Sequence, residues 1–340
     1  MPKIKTTFVD LFAGAGYMGL GFTAAGFDCV AAVEIEKNAA ASHRRNHPGV
    51  PVIEADIREV GRREIYKAAG LNTEKIDVVV GSPPCQPWSI QGHNNPSDCR
   101  RSLLDEFLRV VVELRPKHFI MENVPGLTQG KNRAVLEALI AEFSLAGYDC
   151  TPWQLLNARN HGVAQDRKRL FLLGSRRDCY LIEYPEHQPP VTCQDVLEDL
   201  EDPEAARLLS GWEKTAHTPE VLERFAQVPL GGHDKVSRFK RLHPDGVCNT
   251  LTAGTAKGND WGGRYTPKRP IHYLEPARGG VRVITVREAA RLSSVPDHIE
   301  LGLAVMGRAT ALAQIGNGVP PNFAKAVALK CLEAIKNAQV

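Results

Sequence analysis

The sequence predicts an α/β fold: a mostly parallel sheet with helices on both faces, joined to a smaller, loop-rich region. Three observations predict it. In the first 175 residues short apolar runs alternate with helix-like segments, the pattern of successive β-α units. Glycine-rich or proline-framed turns follow several of those runs, at the strand ends where open sheets bind ligands. From about Cys179 the periodicity fades into Pro, Gly, His and polar residues, and loops that long are uncommon unless functional or disordered.

The first run, Thr7-Phe8-Val9-Asp10-Leu11, reads as a strand and leads into Phe12-Ala13-Gly14-Ala15-Gly16, then Gly19 and Gly21. Glycines at a strand-to-helix turn let the backbone approach a ligand and leave helix N-terminal N–H groups free. Gly14, Gly16 and Gly19 come near the dinucleotide fingerprint, but Asp10 and Phe12 flank them differently. The second run, 28–33, ends in Glu34, where a carboxylate can accept ribose hydroxyl protons. The third, Val52-Ile53, precedes Asp56-Ile57, an acid and an apolar neighbour suited to an adenine amino group and ring. Each acid alone is more simply a helix cap. Together, at successive strand ends, these sites favour a nucleoside-bearing cofactor.

The fourth run, 76–80, enters Gly81-Ser82-Pro83-Pro84-Cys85-Gln86-Pro87-Trp88-Ser89. Three prolines within five positions fix φ and remove backbone donors, so this loop is rigid. A lone cysteine is usually an inert buried thiol. A stiff loop at a strand's carboxyl end is, however, what a thiol presented for attack requires. Leu103, Leu104, Phe107, Leu108, Val111 and Leu114 are spaced for one apolar helix stripe. The fifth run, 118–121, ends at Glu122-Asn123-Val124-Pro125-Gly126, and a buried carboxyl there can serve as hydrogen donor beside Cys85. Before the sixth run, 169–173, stands Gln165-Asp166-Arg167-Lys168-Arg169. Alternation puts Arg167 and Arg169 on one side, suited to forked contacts with an anion or base carbonyl. The plain alternative is a charged edge strand.

Further on, Thr285 with Glu288 forms a capping box for a helix, and Gly316-Asn317-Gly318-Val319-Pro320-Pro321 frames a turn before a closing helix. Residues 235–291 hold 12 Lys/Arg against 4 Asp/Glu, while the remainder holds 30 against 35. Such asymmetry suggests a polyanion touching one part of the molecule, although a solvated face explains it as well. Hydrophobic and charged fractions of 43% and 24% are those of a soluble globular chain, with no run near the ~18 apolar residues of a membrane span. The start, Met1-Pro2-Lys3-Ile4-Lys5, lacks signal-peptide architecture, and eight scattered cysteines without C-x-x-C spacing predict reduced thiols, no metal and a cytoplasmic setting.

Taken in order, Phe12-Ala13-Gly14-Ala15-Gly16, Pro83-Pro84-Cys85-Gln86, Glu122-Asn123-Val124, Gln165-x-Arg167-x-Arg169, the stretch from Arg287 to Leu292 and Gly316-Asn317-Gly318-Val319-Pro320-Pro321 resemble the DNA cytosine-5 methyltransferase family of bacteria and phages. The matching blocks run from residue 8 to about 328. The resemblance implies a Rossmann-like methyltransferase domain over 1–178, completed by 305–340, and a target-recognition domain over 179–304. It implies S-adenosylmethionine as methyl donor and a flipped cytosine in a specific duplex DNA sequence as acceptor. Carried over by position, Phe12, Gly14, Gly16, Glu34, Ile35, Asp56, Ile57, Pro84, Leu103 and Asn317 would line the cofactor site. Cys85 would be the nucleophile, Glu122 would bond the cytosine N3 edge, and Arg169 would hold O2 with Arg167 in support. Location and residue type alone nominate Ser89, Arg238, Lys240, Arg241, Thr250, Thr252, Lys257 and Arg264 as DNA contacts. A monomer associated with the nucleoid is expected, with room for a cognate restriction endonuclease as partner. The nearest alternative is the same chemistry on tRNA. A binding protein that has lost activity and a nicotinamide dehydrogenase are weaker rivals, the latter because it explains neither the Pro-Pro-Cys-Gln loop nor the basic stretch.

Overall fold

The computed structural model describes residues 6–72, 75–84, 102–201, 208–214, 216–252 and 280–338. The chain divides into two compact units, one of Met1–Asn157, Lys168–Glu186 and Ala324–Val340, the other of Ala158–Arg167 and His187–Phe323.

In the first unit β1 (Thr7–Leu11), β2 (Asp28–Val33), β3 (Val52–Ile53), β4 (Val78–Gly81), β5 (His118–Asn123) and β6 (Tyr148–Asn157) alternate with α1 (Tyr17–Ala24), α2 (Lys37–Asn46), α3 (Arg62–Ala69), α4 (Ser102–Leu114) and α5 (Gly130–Leu145). A short β7 (Gln165–Asp166) belongs to the second unit, and β8 (Lys168–Arg176) returns to the first. The sheet order is β3-β2-β1-β4-β5-β8-β6, with the first five strands parallel. The central strands read as unbroken apolar runs because both faces are covered, and Val78, Val79, Val80, Phe119 and Ile120 are fully buried. The helical stripe is also as expected: Leu104, Phe107, Val111 and Leu114 face the core from α4. There Phe107, Phe119, Phe143 and Tyr148 cluster, with the Phe119 and Phe143 rings stacked at 4.0 Å.

Two features depart from the simple alternating pattern. The sixth run lies antiparallel to β5, with Glu122 opposite Phe171, and does not continue the parallel series. Its outer neighbour β6 carries no apolar signature. It is an edge strand, and Pro152 falls where its pairing with β8 shifts between Thr151 and Gln154, a place where a missing donor is tolerated.

In the second unit, β7 pairs in parallel with β9 (Cys248–Asn249), and little other sheet is present among the described residues. With few ladders to absorb them, buried carbonyls need other donors. Arginines supply them. Arg287, fully buried, donates to the carbonyls of Ser210, Pro296 and Ile299. Arg241 donates to those of Ala226 and Val228. Arg282 forms a forked pair with Glu288, and Glu288 also completes the expected capping box with Thr285. Part of the basic excess is therefore spent inside the unit. Among the described residues no helix is long and apolar enough to cross a membrane.

Candidate active site

At the end of β1 the chain turns through Phe12, Gly14 and Gly16, whose φ angles are 55°, 56° and 86°, before entering α1. A left-handed backbone is unusual for a bulky residue such as Phe12. At position 16 only glycine fits, since a Cβ would stand 2.3 Å from His47 Nε2 and 2.8 Å from His43 Cδ2. These two imidazoles, His43 in the last turn of α2 and His47 at its C-cap, stack at 4.3 Å and form the wall behind the turn. From the end of β2, Glu34 accepts the Gly14 N–H at 2.8 Å and the Glu36 N–H at 2.7 Å. A carboxylate has about four acceptor positions, so this hold on the turn is compatible with further donors. Burial raises its pKa. Beneath it, burial and the neighbouring Glu34 charge push Asp10 up to about 8. Ile35 is exposed, and among the described residues nothing stands within 4 Å of where a Gly14 Cβ would point.

After β3, Asp56 caps the turn Ile57–Glu59 and grips Arg58 through both oxygens, at 3.0 and 2.7 Å, which lowers its pKa. Ile57 is buried, and Phe12 and Leu103 pack half-buried against the same apolar core. Pro84 is exposed. Asn317 is exposed at the end of the helix Leu303–Asn317, in the second unit.

The buried His43 carries a pH prediction. Burial, then the adjacent His47, lower its pKa from 6.5 to about 3. Below 6.5 the unfolded chain takes up a proton that the folded chain refuses, so stability falls with falling pH, by at most about 1.4 kcal/mol per pH unit for one group. Asp10 acts oppositely: the folded chain keeps a proton the unfolded chain has lost, and stability declines as pH rises from 3.8 toward about 8. His43→Phe is expected to flatten the acid limb between pH 6.5 and 5, read from urea unfolding at each pH. An unchanged acid limb would remove His43 from that account.

The second group of candidate residues lies on β4, β5 and β8. Gly81 sits so close to its neighbours that a Cβ would be 2.8 Å from the Leu11 carbonyl and from the Phe107 ring. Two residues on, the Pro83 carbonyl accepts the side-chain amide of buried Asn123 at 3.0 Å. This tether fixes the entry to the proline loop. Cys85 and Ser89 lie outside the described residues. Next to Asn123, Glu122 is buried, with Oε1 3.0 Å from Arg169 Nε. Burial lowers the Arg169 pKa, and the Glu122 charge opposes that shift. The antiparallel placement of β8 beside β5 is what brings this pair together. Arg167 is turned elsewhere, donating to the carbonyls of Leu251 and Gly318 within its own unit.

Asn123 lies inside the Glu122-Asn123-Val124 motif, and its role is visible only once the fold brings Pro83 beside it. Asn123→Leu should lower turnover by up to about 100-fold through a displaced loop, with only modest loss of thermal stability. Steady-state rates beside a melting curve check this. Turnover falling only in proportion to folded protein would reject the tether.

Among the proposed DNA contacts, Arg238 is exposed with φ 62°, in a turn organised by buried Asp234, which accepts from the N–H and hydroxyl of Ser237. Thr252 is exposed too. Lys240 reaches Asn249, Arg241 is held by the carbonyls above, and the Thr250 hydroxyl donates to the Asp166 carbonyl. Lys257 and Arg264 lie outside the described residues.

A family model described as C-5 cytosine-specific DNA methylase matches residues 6–333. Type II methyltransferase M.XorII of Xanthomonas oryzae pv. oryzae is 38% identical, over 96% of this chain and 85% of that protein. Type II methyltransferase M1.HphI of Haemophilus parahaemolyticus is 32% identical, over 98% and 88%. Among solved structures, a putative DNA modification methyltransferase encoded within a prophage of E. coli superposes with a TM-score of 0.79 at 29% identity, over 98% of this chain and all of that one. The S. pombe Dnmt2 methyltransferase shares the fold, with a TM-score of 0.65 at 17% identity over 99% of this chain and 100% of that one.

Proposed function

The chain belongs to the C-5 cytosine-specific DNA methylase family and is a DNA cytosine-5 methyltransferase; from that premise we propose that it carries a methyl group from S-adenosylmethionine to C5 of a cytosine turned out of a specific duplex sequence, through a bond between Cys85 and C6. The observation that supports it best is the buried Glu122–Arg169 pair, beside the Asn123 tether on the loop that leads to Cys85.

The residues around the glycine turn suit the cofactor. Glu34 and Asp56 offer carboxylates for hydroxyl and amino donors, Phe12, Ile35 and Leu103 offer apolar surface for a purine with Ile57 packed behind them, and no described residue stands within 4 Å of where a Gly14 Cβ would be. When bound, S-adenosylmethionine supplies an electrophilic methyl carbon on a sulfonium.

Cytosine C5 is a weak nucleophile on its own. The Cys85 thiolate adds to C6, forming a C–S bond and moving an electron pair across the ring toward C5. Glu122 bonds the N3 edge and Arg169 bonds O2, stabilising the charge that addition places there. C5 takes the methyl group, whose bond to sulfur would break with the electron pair staying on sulfur as a neutral thioether. C5 then loses its proton to a base, the electron pair re-forms the ring double bond, and the thiolate departs. A stacked base must leave the helix first, costing a few kcal/mol, and cationic contacts to phosphates from the second unit, Arg238 among them, offset that cost.

Incubation with methyl-tritiated donor should label duplex DNA, and a bisulfite map should place the modified cytosine in one short sequence. Label in tRNA alone would overturn the DNA reading.

A further inference from the structure

We propose that Arg109 is a positioning residue for the purine end of the cofactor site, fixing the Ile57–Val60 turn against α4 so that Ile57 and Leu103 keep a set separation. The inference rests on the cofactor reading above. It begins from a weakness in the fold. β3 is a two-residue edge strand, so the chain that follows it has no ladder to hold it. The Asp56–Arg58 grip is local, between residues two apart, and cannot anchor the turn to anything else.

Arg109 reaches the turn from a distant part of the sequence. Its Nη2 donates to the carbonyl of Ile57 at 2.8 Å and to that of Val60 at 2.9 Å. Its Nε donates to Glu106 at 2.7 Å and its Nη1 to Glu113 at 2.6 Å, both on α4. The second oxygen of Glu113 accepts the N–H of Arg62, the first residue of α3, at 2.9 Å. One planar group thus joins the turn that carries Ile57 to the helix that carries Leu103, and its partner Glu113 links the start of α3 to the same helix. The two carboxylates hold the fork in one orientation, and the fork orients the carbonyls. A lysine at 109 offers a point charge on a flexible stem and cannot reproduce four directed bonds.

The test uses the full chain. Equilibrium binding of S-adenosylhomocysteine by calorimetry is compared for wild type, Arg109→Lys and Arg109→Met, together with melting temperature and steady-state kinetics below the melting point of each. Both variants are expected to bind about tenfold more weakly, the scale of one or two lost hydrogen bonds, and to raise KM for S-adenosylmethionine similarly, with kcat at saturating cofactor unchanged. Glu113→Gln, which keeps the arginine but weakens its brace, should show a smaller rise in both and serves if the Arg109 variants do not fold. Unchanged Kd and KM in the folded variants would overturn the proposal, whatever the melting temperature does, and so would a loss of kcat at unchanged Kd. Failure of the wild type to bind S-adenosylhomocysteine would instead strike the cofactor reading itself.

Discussion

Cys85→Ala is expected to abolish methyl transfer, by on the order of 10⁴-fold or more, as when a covalent nucleophile is removed elsewhere, while leaving DNA affinity close to wild type. The reasoning is chemical. Without addition at C6 the ring never becomes electron-rich at C5, and no other group in the reading can supply that step. Gly81 packing and the Asn123–Pro83 bond lie before position 85, and loss of one small side chain beyond them leaves both in place. Gel-shift titration beside tritium transfer separates the two quantities. A second measurement sharpens the result: duplex DNA with 5-fluorocytosine at the target should trap wild type covalently, because fluorine cannot leave as a proton does, and should not trap the variant. Full turnover by Cys85→Ala would end the nucleophile assignment.

Glu122→Gln is expected to slow transfer by about 10²–10⁴-fold, the usual reach of a positioned acid or base. Glutamine keeps the size and one acceptor but cannot give a proton to N3. The same change leaves the Arg169 guanidinium, largely buried, facing a neutral amide. Breaking a buried pair from one side is costly, and the retained acceptor limits that cost to about 3 kcal/mol. Rate and stability should therefore fall together, and a urea midpoint measured beside kcat apportions them. A wild-type rate in the variant removes Glu122 from the chemistry, whatever its stability.

What the sequence disclosed follows from what each residue does. Parallel strands covered on both faces carry short apolar runs, Val78–Val80 and Phe119–Met121 among them, so β1, β2, β4 and β5 announced themselves. The α4 stripe and the Thr285–Glu288 box did so through spacing. β6 stayed hidden because an edge strand need not be apolar and tolerates Pro152. The reversal of β8 was hidden too, since strand direction leaves no mark on a short apolar run. A list of cations cannot say which ones turn inward, and Arg241 and Arg287 serve carbonyls that only the folded chain brings near. The wall made by His43 and His47 has a visible i, i+4 spacing, but its partner is the absence of a side chain at Gly16.

The chain passes between its two units four times, and the short excursion Ala158–Arg167 leaves the sheet and returns to it. A chimaera that grafts a foreign segment over 187–323 would therefore keep ten native residues that need matching hosts. Gln165–Asp166 must find a strand like Cys248–Asn249, and Arg167 must find carbonyls like those of Leu251 and Gly318. Exchange of this unit between relatives is thus constrained less at the cut sites than at this decapeptide, which any successful transplant has to carry along or redesign.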